Sequence, residues 1–214
     1  MKLYHPDHNP VIAQDSPQWL PERRGKLTAS RMADALSFNK DGKPSAKRTA
    51  LMMQLVAERV ADYAVDHFVT KEMQWGLDNE AGAKAAYEKR YGVVAGPASL
   101  YHHPSIEWFA ATPDGTLGDD GVLEIKCPGT PRFLQYSLDG VVPAEYRPQI
   151  LCQLACTGRK WADFVAFDPR IKEEKHQLFV CRWEPRPEEI HAIEKEAVKF
   201  LAEVEAMFRR FTEG

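Results

Sequence analysis

The sequence has few cysteines, no long apolar run and no surplus of positive charge, and each lack removes a class of protein. Its four cysteines, Cys127, Cys152, Cys156 and Cys181, show no C-x-x-C spacing. That excludes the usual structural zinc site and a disulfide framework, and leaves buried free thiols. No stretch approaches the roughly 18 apolar residues of a membrane span, and the opening MKLYHPDHNP lacks the apolar run of a signal peptide. A cytoplasmic protein without a membrane partner is expected. The formal net charge of −3 argues against coating nucleic acid with a uniformly basic surface, so any such contact must be local. His67, His102, His103 and His176 lack ligand spacing, which argues against a zinc enzyme. Internal repeats and low-complexity segments are absent too.

What is present is the balance of a folded protein. The 214 residues, 44% hydrophobic and 28% charged, suit one domain that buries roughly 70% of its unfolded surface. Ser16-Pro17 predicts a short helix through about Arg23, stopped by Gly25. A second short helix from Thr28 or Ser30 carries Met32, Ala35 and Leu36. Ser45 is placed to cap a longer helix with a core stripe of Met52, Leu55, Val56, Val60 and Tyr63. A helix over 71–91 follows, with Met73, Leu77, Ala81 and Tyr91 near one face and Gly92 as its stop. Glu80 falls beside that stripe and needs a partner there; Lys84, four residues on, is the plain choice.

Between 98 and 127 the texture changes to short β-type runs at 98–102, 106–111 and 122–127, which read as a three-stranded meander. A helix over 144–157, ended by Gly158, is expected to cross over to strands at 161–167 and 177–183. A last helix from about 187 repeats Ile190, Ile193, Ala197, Leu201, Val204 and Phe208. The order specifies a mixed α/β plan.

The chemistry sits in Thr112-Pro113-Asp114-Gly115, nine further residues, and then Glu124-Ile125-Lys126. Pro113 and Gly115 place Asp114 at a strand end or turn. Glu124 and Lys126, two apart on a strand, share one face, while Leu123, Ile125 and Cys127 share the other. If the two segments are neighbours, two carboxylates and one ammonium converge. Carboxylate oxygens suit Mg2+, a metal that acidifies water and offsets charge at a phosphodiester, and a lysine can orient the attacking hydroxide. The Ile125 carbonyl is a further candidate ligand. A turn aspartate and a solvated E-x-K pair on an edge strand form the plainer alternative. Against it stands a polar E-x-K inside the apolar run VLEIKC, with Glu80 on an earlier helix.

The pattern PDG…EIKCP resembles the PD-(D/E)xK nuclease signature, and more narrowly that of the lambda exonuclease or YqaJ-type phage recombinase family. Trp19…Arg23-Arg24-Gly25-Lys26-Leu27-Thr28-Ala29-Ser30 is similar to the family's W…R-x-G-x-x-TAS segment. Trp75-Gly76…Glu80, Glu124 to Pro128, and Tyr146…Gln149 are similar to its later motifs, in order, over about residues 19–170. The resemblance implies one nuclease domain over 1–214, an α/β fold with a PD-(D/E)xK nuclease-like mixed β-sheet flanked by α-helices. It implies Mg2+, with Mn2+ as a substitute, held by Asp114 and Glu124 with Glu80 nearby, and Lys126 assisting the attacking water. It implies a pocket for a DNA 5′-phosphate at Arg23, Ser30, Thr112 and Gln149, where Thr112 stands for a serine. An arginine, two hydroxyls and an amide are apt donors to a terminal phosphate.

A homotrimeric ring threading duplex DNA ends, working beside a single-strand annealing protein in a bacterial or phage-infected cell, also follows from the resemblance. Such a ring lets a chain of net charge −3 bind DNA, because only the channel need be positive. The basic segment at 40–48, with Lys43, Lys47 and Arg48, is a candidate for gripping the duplex, and Arg132 and Tyr136 for touching its backbone. The leading expectation is a 5′-to-3′ double-strand exonuclease. A restriction- or junction-type endonuclease, a non-catalytic DNA-binding assembly protein, and a metal hydrolase acting on another substrate are the alternatives.

Overall fold

The computed structural model describes residues 12–14, 16–61 and 70–214; Tyr63 and His67 lie outside them. Their chain order is β1 (Ile12–Ala13), α1 (Trp19–Arg23), β2 (Leu27–Thr28), a 3-10 turn (Ala29–Arg31), α2 (Met32–Ala35), α3 (Ala46–Val60), α4 (Lys71–Tyr91), β3 (Ser99–His102), β4 (Phe109–Ala111), β5 (Gly115–Leu117) and β6 (Gly121–Lys126). Then come α5 (Thr130–Asp139), α6 (Arg147–Thr157), β7 (Trp161–Phe167), a 3-10 turn (Glu174–His176), β8 (Leu178–Trp183) and α7 (Pro187–Thr212). Two four-stranded sheets result, ordered β1-β3-β4-β2 and β5-β6-β7-β8. Both are mixed, with β2–β4 and β6–β7 parallel and the other pairs antiparallel. The parallel β6–β7 pair requires a crossover, which α5 and α6 supply.

The expected meander is corrected by this topology. Residues 98–102 and 106–111 do pair, as β3 and β4, but 122–127 belongs to the other sheet. The three-residue β5 takes the chain from one sheet to the other, and so short a strand carries no readable alternation. The first helix begins at Trp19 rather than at Ser16-Pro17, with Gln18 at its N-cap and no side-chain cap bond. Helix α6 begins at Arg147, three residues later than expected, and α5 had no counterpart in the sequence reading.

Other local signals act as read. The Ser45 hydroxyl accepts from the Arg48 amide at 3.2 Å and caps α3. Met52, Leu55 and Val56 are buried in the main apolar cluster, together with Ile193, Ala197, Leu201 and Val204 of α7, while Val60 is exposed. Gly92 and Gly158 end α4 and α6 in the left-handed conformation. All four cysteines are free thiols; Cys152 and Cys156 are buried, Cys127 and Cys181 half-buried. No helix among the described residues is long and apolar enough to cross a membrane.

Helix α4 has the expected ends but turns a different face inward. Met73, Leu77, Ala81 and Tyr91 are exposed, and Ala83 and Tyr87 are the buried positions. Ala83 and Tyr87 pack with Leu123, Ile125, Val165 and Phe167 of the second sheet. The inward face therefore carries Glu80, Ala83, Lys84 and Tyr87, neighbours at helical spacings of three and four that the sequence disguises with two charges. Tyr87 donates to Asp163 at 2.6 Å, and Arg182 grips the same buried carboxylate at 2.8 and 2.9 Å.

Gly25 explains part of the N-terminal motif. Its φ is +67°, and a Cβ there would meet the Arg59 side chain at 2.6 Å. Its amide donates to Glu58 at 2.8 Å and its carbonyl accepts from Arg59 at 3.0 Å. The turn after α1 is thereby fastened to α3, and β2 follows it beside β4.

Candidate active site

Strand pairing brings the carboxylates together. Gly115 lies opposite Leu123 in the antiparallel β5–β6 pair, so Asp114 stands across from Glu124. The Asp114 amide donates to the Leu123 carbonyl at 3.0 Å, and its carboxylate accepts from the Ile125 amide at 2.6 Å. A strand residue's N–H and C=O point to the same side, so the Ile125 carbonyl is turned toward the Asp114 edge as well. Alternation then sorts β6: Leu123 and Ile125 pack toward α4, with Cys127 beside them, while Val122 packs with Ile150 and Leu154 of α6. Glu124 and Lys126 share the α6 side, as their spacing requires.

Glu124 is 0% exposed. Its Oε1 is 2.5 Å from the Lys126 ammonium and accepts from Gln149 at 2.6 Å; its Oε2 accepts from Gln153 at 2.5 Å. The i, i+4 pair on α6 is thus a cradle for one buried carboxylate. In sequence alone, an i, i+4 glutamine pair amounts only to a polar helix face. Lys126 also lies 5.3 Å from the Tyr146 ring centroid.

Burial pushes the Asp114 carboxyl well above the usual carboxylate range; the charges of Glu124 and Glu80 add to this, and Lys126 opposes it. Burial opposes the charged form of Lys126, but Glu124 and Asp114 outweigh it and hold the ammonium protonated. The Cys127 thiol, pushed up to about 12 by burial and then by Glu80 and Asp114, is not a nucleophile. The Lys84 ammonium donates to the Gly96 and Asp114 carbonyls at 2.8 and 3.4 Å, bracing the Asp114 turn from α4.

These groups fit a hard divalent ion. A buried and a half-buried carboxylate side by side repel each other, a cation answers both the repulsion and the desolvation, and oxygen is the donor that Mg2+ takes. The fit rests on Asp114, Glu124 and the Ile125 carbonyl. Among the described residues no three His, Cys, Asp or Glu side chains gather as a metal cluster. Glu80 is close enough to bear on Asp114 but does not complete such a cluster.

The residues expected around a terminal phosphate fall into two linked groups. The Arg23 guanidinium stacks 4.1 Å over the Trp19 ring, and the Trp19 indole donates to the Thr112 hydroxyl at 3.3 Å. Thr112 leads directly into Asp114. Ser30 is exposed on the 3-10 turn that packs against α6, the helix of Gln149. Gln149 spends one N–H on Glu124 and keeps a second.

Two candidates for DNA contact are corrected. Arg48 is 4% exposed; it donates to the Ala35 carbonyl, pairs with Glu203 at 2.7 Å and stacks on Phe38 and Phe200. Tyr136 is 5% exposed, packs edge-on against Phe164 and donates to Glu145 at 2.6 Å. Both belong to the interior: the Tyr136 hydroxyl is bonded there, and both terminal nitrogens of Arg48 find acceptors. Lys43, Lys47 and Arg132 are exposed; Lys43 pairs with Asp41 at 3.4 Å and Arg132 with Glu145 at 3.4 Å.

Comparison with solved structures identifies the fold. The crystal structure of the alkaline exonuclease LHK-Exo from Laribacter hongkongensis is similar at a TM-score of 0.84 and 36% identity, over 92% of this chain and 97% of that one. LHK-Exo in complex with dAMP gives the same values. A phage-related exonuclease from Haemophilus somnus 129PT shares the fold alone, with a TM-score of 0.65 and 13% identity over 87% and 96% of the two chains. The mixed sheets flanked by helices are thus the PD-(D/E)xK nuclease fold. No curated protein matches. The model of the YqaJ-like viral recombinase domain matches residues 18–160, which take in the P-D-G turn, the E-I-K strand and the helix of Gln149, and this chain belongs to that family.

Proposed function

We propose that the protein is a Mg2+-dependent 5′-to-3′ exonuclease that digests duplex DNA from 5′-phosphorylated ends and leaves 3′ single strands for strand annealing. The observation that carries the reading is the buried Glu124 beside Asp114, with Lys126 at 2.5 Å and a phosphate-suited group at Arg23, Thr112 and Gln149 next to it. The likeness to an alkaline exonuclease supports it, as does the dAMP bound by that relative.

Asp114, Glu124 and the Ile125 carbonyl are the oxygen donors that would hold Mg2+, or Mn2+ in its place, with Glu80 behind them. A divalent ion so held supplies an acidified water and neutralises charge at phosphorus. Lys126 keeps its proton at Nζ and offers it as a hydrogen bond to the attacking oxygen or to a phosphate oxygen. Gln149 and Gln153 keep Glu124 in one orientation, and burial keeps bulk water away from it. Arg23, Ser30, Thr112 and Gln149 together offer a charged donor, two hydroxyls and an amide to a terminal phosphate.

The test is strand polarity. Linear duplex labelled at either end is expected to lose mononucleotides from its 5′ ends, and relaxed closed circles to survive; efficient cutting of circles would overturn the exonuclease reading in favour of an endonuclease. Duplexes with 5′-phosphate are expected to be digested about tenfold or more faster than those with 5′-hydroxyl. Arg23→Ala should bring that ratio close to one, and an unchanged ratio would remove Arg23 from the pocket. The reading includes assembly as a ring of three and an annealing partner. Its support is the need for a local positive surface in a chain of net charge −3, together with apolar Leu134, Leu138 and Val141 exposed on and after α5. Sizing in solution reads the assembly, and a monomer at working concentration would remove it.

A further inference from the structure

Where β6 ends at Lys126, a groove of about 700 Å³ opens beside the catalytic strand, lined among others by Lys71, Trp75, Lys126, Arg132, Tyr146 and Arg170. None of Arg23, Ser30, Thr112 and Gln149 lines it. Its charged side chains are four cations, Lys71, Lys126, Arg132 and Arg170, against the single carboxylate of Glu72. In a chain of net charge −3 this is a local positive surface, and it contains the catalytic lysine.

Arg170 is built into this wall rather than left as a solvated surface cation. Its Nε and Nη2 donate to the two oxygens of Asp168 at 2.7 and 3.0 Å, and Nη2 also donates to the Pro128 carbonyl at 3.1 Å. The Thr130 hydroxyl fixes the same carboxylate at 2.6 Å. The guanidinium lies 4.3 Å over the Trp75 ring. Asp168 is 0% exposed, so a carboxylate is desolvated to hold one edge of this guanidinium. Yet the Arg170 side chain is 45% exposed. Its Nη1 makes no hydrogen bond among the described residues, and the Trp75 indole N–H is buried without an acceptor among them. A planar guanidinium with one edge fixed and one edge open is suited to a phosphate.

We infer that Arg170 contacts a backbone phosphate of the DNA strand passing the catalytic centre, with Asp168 and Trp75 as the residues that position it. The inference rests on the nuclease reading, and it concerns a phosphate other than the terminal one. The experiment is a linkage scan by fluorescence anisotropy, without divalent metal, on 5′-phosphorylated duplexes in which one phosphate at a time is replaced by a neutral methylphosphonate. The wild-type protein is expected to lose affinity about tenfold at one internal linkage. Arg170→Gln should bind unmodified duplex more weakly by a similar factor and be indifferent to that linkage, the non-additivity of a direct contact. Arg170→Lys should recover part of the affinity. If wild type and Arg170→Gln respond alike at every linkage and the variant merely melts at a lower temperature, Arg170 only ties the end of β7 to the loop before α5. The inference is then overturned. A wild-type protein that neither binds nor cuts duplex would instead overturn the proposed function.

Discussion

Asp114→Asn is expected to lower strand cleavage by about a thousandfold or more and, measured in EDTA, to raise the melting temperature. The two effects have one cause. The Asp114 carboxylate is desolvated and faces Glu124, so its charge burdens the folded state until a cation offsets it. An asparagine keeps an oxygen for the Ile125 amide, the bond now made at 2.6 Å, and discards the repulsion. Relief of about 1 kcal/mol corresponds to about 2–4 °C for a chain of this size. Added Mg2+ should raise the wild-type melting temperature by mass action and leave the variant nearly unmoved. Lys126→Met should be equally inactive but melt lower, because it removes the positive partner of the fully buried Glu124. Opposite stability signs from two inactive variants distinguish this electrostatic arrangement from simple damage. Substantial cleavage by Asp114→Asn, or a melting point lowered by several degrees, would contradict it.

The candidate trio of Asp114, Glu124 and Lys126 was legible because its chemistry violates its surroundings. A glutamate and a lysine in the run VLEIKC have no business in a strand otherwise fit for burial, and the P-D-G turn supplies the acid across from them. The long helices were legible from stripe and stop signals, as α7 and the ends of α4 demonstrate. The inner face of α4 was not. The charged Glu80 and Lys84 occupy positions that would reveal the apolar period, so the exposed Met73, Leu77 and Ala81 mimic a stripe. Strands β1, β2 and β5 have only two or three residues each and offer no period at all. Gln153 resembled a solvated residue because its value lies in Glu124, a partner 29 positions away. Asp168 and Arg170 carried a faint signal, a D-x-R just past an apolar strand, which gains meaning only when Pro128 and Trp75 arrive beside it.

Arg48→Ala is expected to destabilise the protein by about 2–4 kcal/mol, lowering its melting temperature by roughly 5–15 °C, without weakening DNA binding by the molecules that remain folded. In sequence Arg48 belongs to the basic segment with Lys43 and Lys47, and composition alone cannot separate the three. The fold does, since Ser45 starts α3 and the helical turn puts Arg48 inward while Lys47 stays exposed. The ion pair with Glu203 contributes little of the loss, because that glutamate is 47% exposed and screened by water. The larger parts are the bond to the Ala35 carbonyl, which would lose its buried donor, and the packing against Phe38 and Phe200. Lys47→Ala, exposed and free of such packing, should change stability by no more than about 0.5 kcal/mol. Thermal melts and duplex anisotropy on both variants decide the matter. A stable Arg48→Ala protein with impaired DNA binding would return Arg48 to the substrate, whereas the reverse outcome fixes it as the cation that joins α2, α3 and α7.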